Sequence, residues 1–159
     1  EGKWMGQQLV HKENIMLNLS ATDKESVLSQ MSDVLFQNGF VKSTFKDAVI
    51  DREKEFATGL PTHLCSVAIP HTDVEHINYR TIGVAVLEKE VPFIEMGTLD
   101  QQTEVKIVFM LAMNKVDDQL KLLQQLMQIF QSEEKLEQIL RTKDETILAT
   151  LINDYLEYN

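Results

Sequence analysis

The eight residues from Val105 to Ala112 (Val-Lys-Ile-Val-Phe-Met-Leu-Ala) carry one charge and seven apolar side chains. A run this apolar and this short reads as a strand buried on both faces. It is the most apolar strand candidate in the chain, so it is expected at the centre of a sheet. Four more segments read as strands. Ile15–Leu19 and Thr81–Leu87 are apolar runs, and Val67–Ile69 forms a third that ends at His71. Val91–Ile94 is expected to be a short edge strand, because Pro92 has no N–H for a ladder.

Helical spacing fills the gaps between these runs. Thr22-Asp-Lys-Glu25 has capping-box spacing. Val27, Leu28, Met31, Val34 and Leu35 follow at helical intervals up to Asn38-Gly39, which predicts a helix over about 23–38. A second helix is predicted from Ser43 or Thr44 to about Phe56, with Phe45, Ala48, Val49 and Phe56 as its apolar positions. Leu120, Leu123, Leu126, Met127 and Phe130, widened by Leu122 and Ile129, predict a largely buried helix. Ser132 opens a short helix carrying Leu136, Ile139 and Leu140. A second capping box, Thr142–Glu145, opens a last one with Leu148, Leu151, Ile152 and Tyr155 on one face. Strands interleaved with helices imply an α/β fold: a single layered domain over residues 1–159, with a mixed β-sheet flanked by helices. Residues 1–8 read as a tail.

Charge and cysteine content narrow the function. The formal net charge is -10. That disfavours a nucleic-acid backbone or an anionic membrane surface as partner and suits a partner with a basic face. Cys65 is the only cysteine. No intrachain disulfide and no cysteine-based zinc site can form, which fits a cytoplasmic setting. No apolar run approaches the roughly 20 residues of a membrane helix.

Two features stand out as chemistry. Arg52 falls on the apolar stripe of the second helix, seven residues after Phe45 and four before Phe56. A guanidinium there needs an anion or a wet cleft, unless it snorkels to Asp51, Glu55 or a more distant carboxylate. The second feature is Ile69-Pro70-His71. Pro70 fixes its own backbone and biases Ile69 towards an extended one, which displays His71 where a strand gives way to a loop. Three readings of the histidines compete. His71 and His76 with Asp73 or Glu75 could bind a metal, although their spacing matches no standard ligand pattern. Cys65 could pair with a histidine as nucleophile, although a thiol beside an apolar strand reads better as inert core. His71 could carry a phosphoryl group, steadied by Arg52 and Thr58. His11 and His63 read as ordinary surface side chains.

Arg52-Glu-Lys-Glu-Phe-Ala-Thr58-Gly59-Leu60, followed by Val67-Ala-Ile-Pro-His71, resembles the signature of the EIIA domains of the bacterial phosphoenolpyruvate:sugar phosphotransferase system, mannitol/fructose class. The resemblance covers about residues 13–158. Pro70-His71 followed by His76, and Gln119-Leu-Lys-Leu-Leu with Leu126-Met-Gln-Ile-Phe130, resemble the galactitol-type branch. The resemblance implies a phosphotransferase without metal or organic cofactor. His71 would accept phosphoryl from HPr and pass it to a cysteine of EIIB, which phosphorylates sugar as it passes through the membrane component EIIC. Arg52 would match the active-site arginine, with Thr58 as a supporting donor. Gln119 stands where the mannitol-type branch has a second histidine, and His76 is a further candidate for that role. The same family resemblance also includes regulatory domains of the nitrogen type or of transcription regulators, in which phospho-His71 would be a switch.

Overall fold

A computed structural model describes residues 8–157. Apart from Gln8, the tail lies outside them. The strands are β1 (Ile15–Leu19), β2 (Gly59–Leu60), β3 (Ser66–Ala68), β4 (Thr81–Ile94) and β5 (Gln102–Ala112). The helices are α1 (Lys24–Gln37), α2 (Phe45–Glu55), α3 (Val116–Phe130), α4 (Glu133–Arg141) and α5 (Glu145–Glu157). Short 3-10 turns sit at Lys12–Asn14 and Val74–His76.

The five strands form one mixed sheet in the order β1-β4-β5-β3-β2. β5 is the middle strand, as its composition requires. It pairs antiparallel with β4 and parallel with β3. From Ile107 to Ala112 its side chains alternate between two cores. Ile107, Phe109 and Leu111 face the core shared with α3, α4 and α5. Val108, Met110 and Ala112 face the core shared with α1 and α2. The layered α/β arrangement expected from the sequence is the one observed. Each buried aliphatic side chain contributes roughly 1.5–3 kcal/mol against chain entropy.

Four local readings change. The capping residues of α1 and α5 are aspartates instead of the threonines. Asp23 accepts from the Ser26 N–H at 2.8 Å, and Asp144 accepts from the Ile147 N–H at 2.9 Å. In each case the carboxylate lies closer to the first turn and is the stronger acceptor there. Val91–Ile94 is no separate strand: it continues β4 past a bulge, and Pro92 still lies opposite Glu104 of β5. Pro92 is tolerated because β1 pairs with β4 only as far as Leu87, so that stretch has a free side. Leu120 is 58% exposed, and Gln125 takes a buried place on α3 instead. The segment read as a loop after α2 contains β2, whose Gly59 and Leu60 pair with Ala68 and Val67. Gly59 is required there: a Cβ would sit 2.6 Å from the Ile94 carbonyl oxygen.

Candidate phosphoryl-transfer site

β3 and β5 run parallel, so their carboxyl ends lie together. Just beyond Ala68 the chain is tied to the central strand, where the Pro70 carbonyl accepts the Leu111 N–H at 2.9 Å. His71 follows immediately and is half-buried. Its Nδ1 lies 2.8 Å from the Ile69 carbonyl oxygen. A carbonyl oxygen can only accept, so Nδ1 carries the proton and the lone pair sits on Nε2.

Burial lowers the pKa of His71 below its ordinary 6.5; the Ile69 hydrogen bond opposes this in part, and the Arg52 charge adds a smaller push downwards. The ring is therefore neutral and nucleophilic at pH 7. An unfolded chain takes up this proton near 6.5 and the folded chain only at lower pH. Stability contributed through His71 is thus constant above 6.5 and falls as the pH drops below it. We expect a ring-nitrogen NMR titration of His71 to show a midpoint below 6.5. A midpoint at or above 6.5 would contradict the burial and Arg52 effects.

Arg52 lies in the last turn of α2. Its guanidinium sits over the Phe56 ring, 4.4 Å from the centroid. Its Nε is buried and has no hydrogen-bond partner, and among the described residues the side chain forms no ion pair. The alternative of snorkelling to Asp51 or Glu55 is not what the structure shows. A buried donor without an acceptor is costly, and an anion entering the site would satisfy it.

The buried stripe of α2 differs from the sequence reading. Its members are Phe45, Val49 and Glu53, spaced by four, whereas Phe56 is 53% exposed. Arg52 stands at the edge of that stripe, and the charge that is fully buried is Glu53. Sequence reasoning missed Glu53, although the interval of four from Phe45 through Val49 pointed to it. Burial pushes its carboxyl up to about 7, against two Thr58 hydrogen bonds that pull it down. Thr58 is buried and gives both of its donors to Glu53, through N–H at 2.8 Å and O–H at 2.8 Å. It has no donor left for a phosphoryl oxygen, so its place is behind the histidine.

The remaining candidates are placed as follows. His76 turns Nδ1 to the Thr44 hydroxyl at 2.7 Å and Nε2 towards Glu75 at 3.8 Å, at the start of α2. Nδ1 is thereby committed to Thr44, and no contact joins the ring to His71 or Arg52 among the described residues. Gln119 lies in the first turns of α3, at the same end of the sheet as His71, with a buried and unpartnered Oε1. Phe56, Val116 (69% exposed) and Leu120 give the helix ends that carry Arg52 and Gln119 an exposed apolar character. His63 is exposed. His11 is half-buried instead of solvated, its ring 5.0 Å from that of Phe40. Burial pushes the Cys65 thiol up to about 11, which removes it as a nucleophile at neutral pH. Among the described residues no group of three His, Cys, Asp or Glu side chains is arranged to hold a metal ion.

A neutral imidazole with a free Nε2 and an arginine whose charge reaches it, itself without an anion, thus lie at one end of a mixed α/β sheet. Residues 8–155 match the family described as "Phosphoenolpyruvate-dependent sugar phosphotransferase system, EIIA 2", and the chain belongs to this family. It is 29% identical over 138 residues to the galactitol-specific EIIA component of Escherichia coli K12, covering 87% of this chain and 91% of that one. It is 27% identical over 150 residues to the mannitol-specific enzyme IIA component of Bacillus subtilis, covering 92% and 98%. Its fold is similar to that of the nitrogen regulatory protein IIA-Ntr from Neisseria meningitidis (TM-score 0.72, 18% identity, 91% and 96% covered). Members of the family are phosphotransferases that carry a phosphohistidine, and the chain is a phosphoryl-relay component of this system. No helix among the described residues is long and apolar enough to cross a membrane.

Proposed function

We propose that His71 is the relay histidine, that it accepts a phosphoryl group from HPr in the cytoplasm, and that it passes the group to a cysteine of EIIB. The observation that carries this reading is the Nδ1–H bond from His71 to the Ile69 carbonyl, which leaves Nε2 as the free nucleophile. Nε2 attacks phosphorus in line. A new N–P bond forms as the donor's bond to phosphorus breaks, and the EIIB thiolate later reverses the logic, forming S–P as N–P breaks. Little covalent work falls to the protein, so positioning and charge neutralisation dominate. Arg52 supplies the neutralisation: its unpartnered Nε and planar fork suit two phosphoryl oxygens. The Gln119 amide, rotated to present its NH₂, adds a neutral donor. Phe56, Val116 and Leu120 offer an apolar docking rim for transient protein partners. The identity to the galactitol-specific component supports a galactitol-like sugar as the cargo of the associated EIIC.

The test is transfer. Radiolabel from phosphoenolpyruvate, Enzyme I and HPr is expected on this chain first and then on the cysteine of a cognate EIIB. Label that loads onto the chain and moves to no EIIB would favour the regulatory reading, in which phospho-His71 is a switch.

A further inference from the structure

Glu53 is the only charged side chain that is fully buried among the described residues, at 3% exposure. It lies on α2 one residue from Arg52, about a quarter turn round the helix, and bonds to Thr58. A buried carboxylate is costly unless it is hydrogen-bonded on both oxygens. Both are used on one residue: Oε2 accepts the Thr58 N–H and Oε1 accepts the Thr58 O–H, each at 2.8 Å. Two donors converging on two oxygens require a carboxylate, since an amide offers a single acceptor.

The chain of contacts does not stop at Thr58. The Ile69 N–H is shared between the Thr58 hydroxyl at 3.2 Å and the Thr58 carbonyl at 3.3 Å. A hydroxyl that donates to a carboxylate is a better acceptor for that N–H. The carbonyl of the same Ile69 then receives Nδ1–H of His71. Ile69 is 1% exposed, so no water competes at either end. The next residue is anchored from the other side by Leu111. Every link from Glu53 to the imidazole is therefore an ordered hydrogen bond, and the last one selects the tautomer.

We propose that Glu53 is a positioning residue of the phosphoryl transfer: acting through Thr58, it holds the Ile69 backbone so that its carbonyl captures Nδ1–H of His71 and keeps the lone pair on Nε2. Glu53 never touches phosphorus. The role rests on His71 being the phosphoryl acceptor and adds a group that a list of phosphate-contacting residues omits. A solvent-exposed imidazole populates both tautomers. Without the clamp, part of the His71 population would carry its proton on Nε2 and be unable to attack from that atom.

The experiment uses the full chain with ¹⁵N-labelled histidine at pH 8. The His71 tautomer is read from its ring-nitrogen shifts, and phosphorylation is followed with phosphoramidate, a small donor that needs no protein partner. The parent chain is expected as the Nδ1–H tautomer alone. Glu53→Gln satisfies only one Thr58 donor. It should show mixed tautomers and labelling slowed by about tenfold to a hundredfold, with a native circular dichroism spectrum. Thr58→Ser keeps the relay and should match the parent. A folded Glu53→Gln chain with pure Nδ1–H and labelling within about twofold of the parent overturns the proposal. If Glu53→Gln does not fold, Thr58→Val decides. It keeps the amide contact to Glu53 and loses the hydroxyl that holds Ile69, so an unchanged tautomer and rate there overturn it equally. Failure of the parent to take label at His71 refutes the acceptor reading instead, and the tautomer arm alone then decides the positioning role.

Discussion

A His71→Ala chain is expected to take up no label from phosphoenolpyruvate, Enzyme I and HPr, while its thermal unfolding midpoint stays near that of the parent. The loss should be complete because no other group can substitute. His63 is exposed, His76 is tied through Nδ1 to Thr44 at the start of α2, and the Cys65 thiol is held protonated at neutral pH. The small structural effect follows from where His71 sits. It is half-buried at a loop, and its one hydrogen bond, to a carbonyl, is worth about 1 kcal/mol net. Removing an imidazole that burial keeps neutral also removes the destabilisation it would cause below pH 6.5. Stoichiometric labelling of the variant would sink the assignment of His71.

The second large effect is expected at Arg52. Arg52→Lys keeps the positive charge but loses the planar fork and the stack on Phe56. Transfer from HPr should slow at least tenfold, which corresponds to about 1.4 kcal/mol in the barrier. Stability should change little. Arg52 makes no ion pair among the described residues, its Nε bonds to nothing, and Phe56 beneath it is more than half exposed. An unchanged transfer rate would show that the guanidinium geometry has no part in the chemistry. Because Arg52 also lowers the His71 pKa, an uncharged replacement such as Arg52→Gln should raise the His71 titration midpoint towards 6.5.

Sequence pattern captured the elements whose burial is one-dimensional. Val105–Ala112 reads as a central strand because neither face can tolerate water, and that is where β5 lies. Ser132 was legible as the cap of α4, and its side chain accepts the Lys135 N–H. The Pro70-His71 display was legible because proline acts on its own neighbours. What escaped depends on partners far along the chain. β2 has only two residues and exists because it pairs with β3. Glu53 looks like one more acid on a charged helix until Thr58 folds back over it. The proximity of His76 to His71 in sequence suggested a shared site, but the 3-10 turn at Val74–His76 carries its ring to Thr44. Leu120 looked like core because helical spacing alone does not say where a helix begins to overhang the sheet.

The β2–β3 ribbon also divides this region into parts with different freedom to drift. Thr58 and Gly59 are bolted from several sides: by Glu53, by Ala68 across the ribbon, and by Met96, whose N–H donates to the Gly59 carbonyl at 2.7 Å. The turn beyond them is closed on itself. The Thr62 side chain accepts the Leu64 and Cys65 N–H groups and donates to the Cys65 carbonyl, and Pro61, His63 and Leu64 are exposed. Residues gained or lost in that tip would leave the pairing of Gly59 with Ala68 in register, at a loop-closure cost well under 1 kcal/mol for a few residues. A single residue gained between Glu53 and Thr58 would shift Thr58 relative to both Glu53 and Ile69. The tip can therefore change length while the six-residue span from Glu53 to Thr58 stays fixed, and His71 is insulated from the hairpin that leads into it.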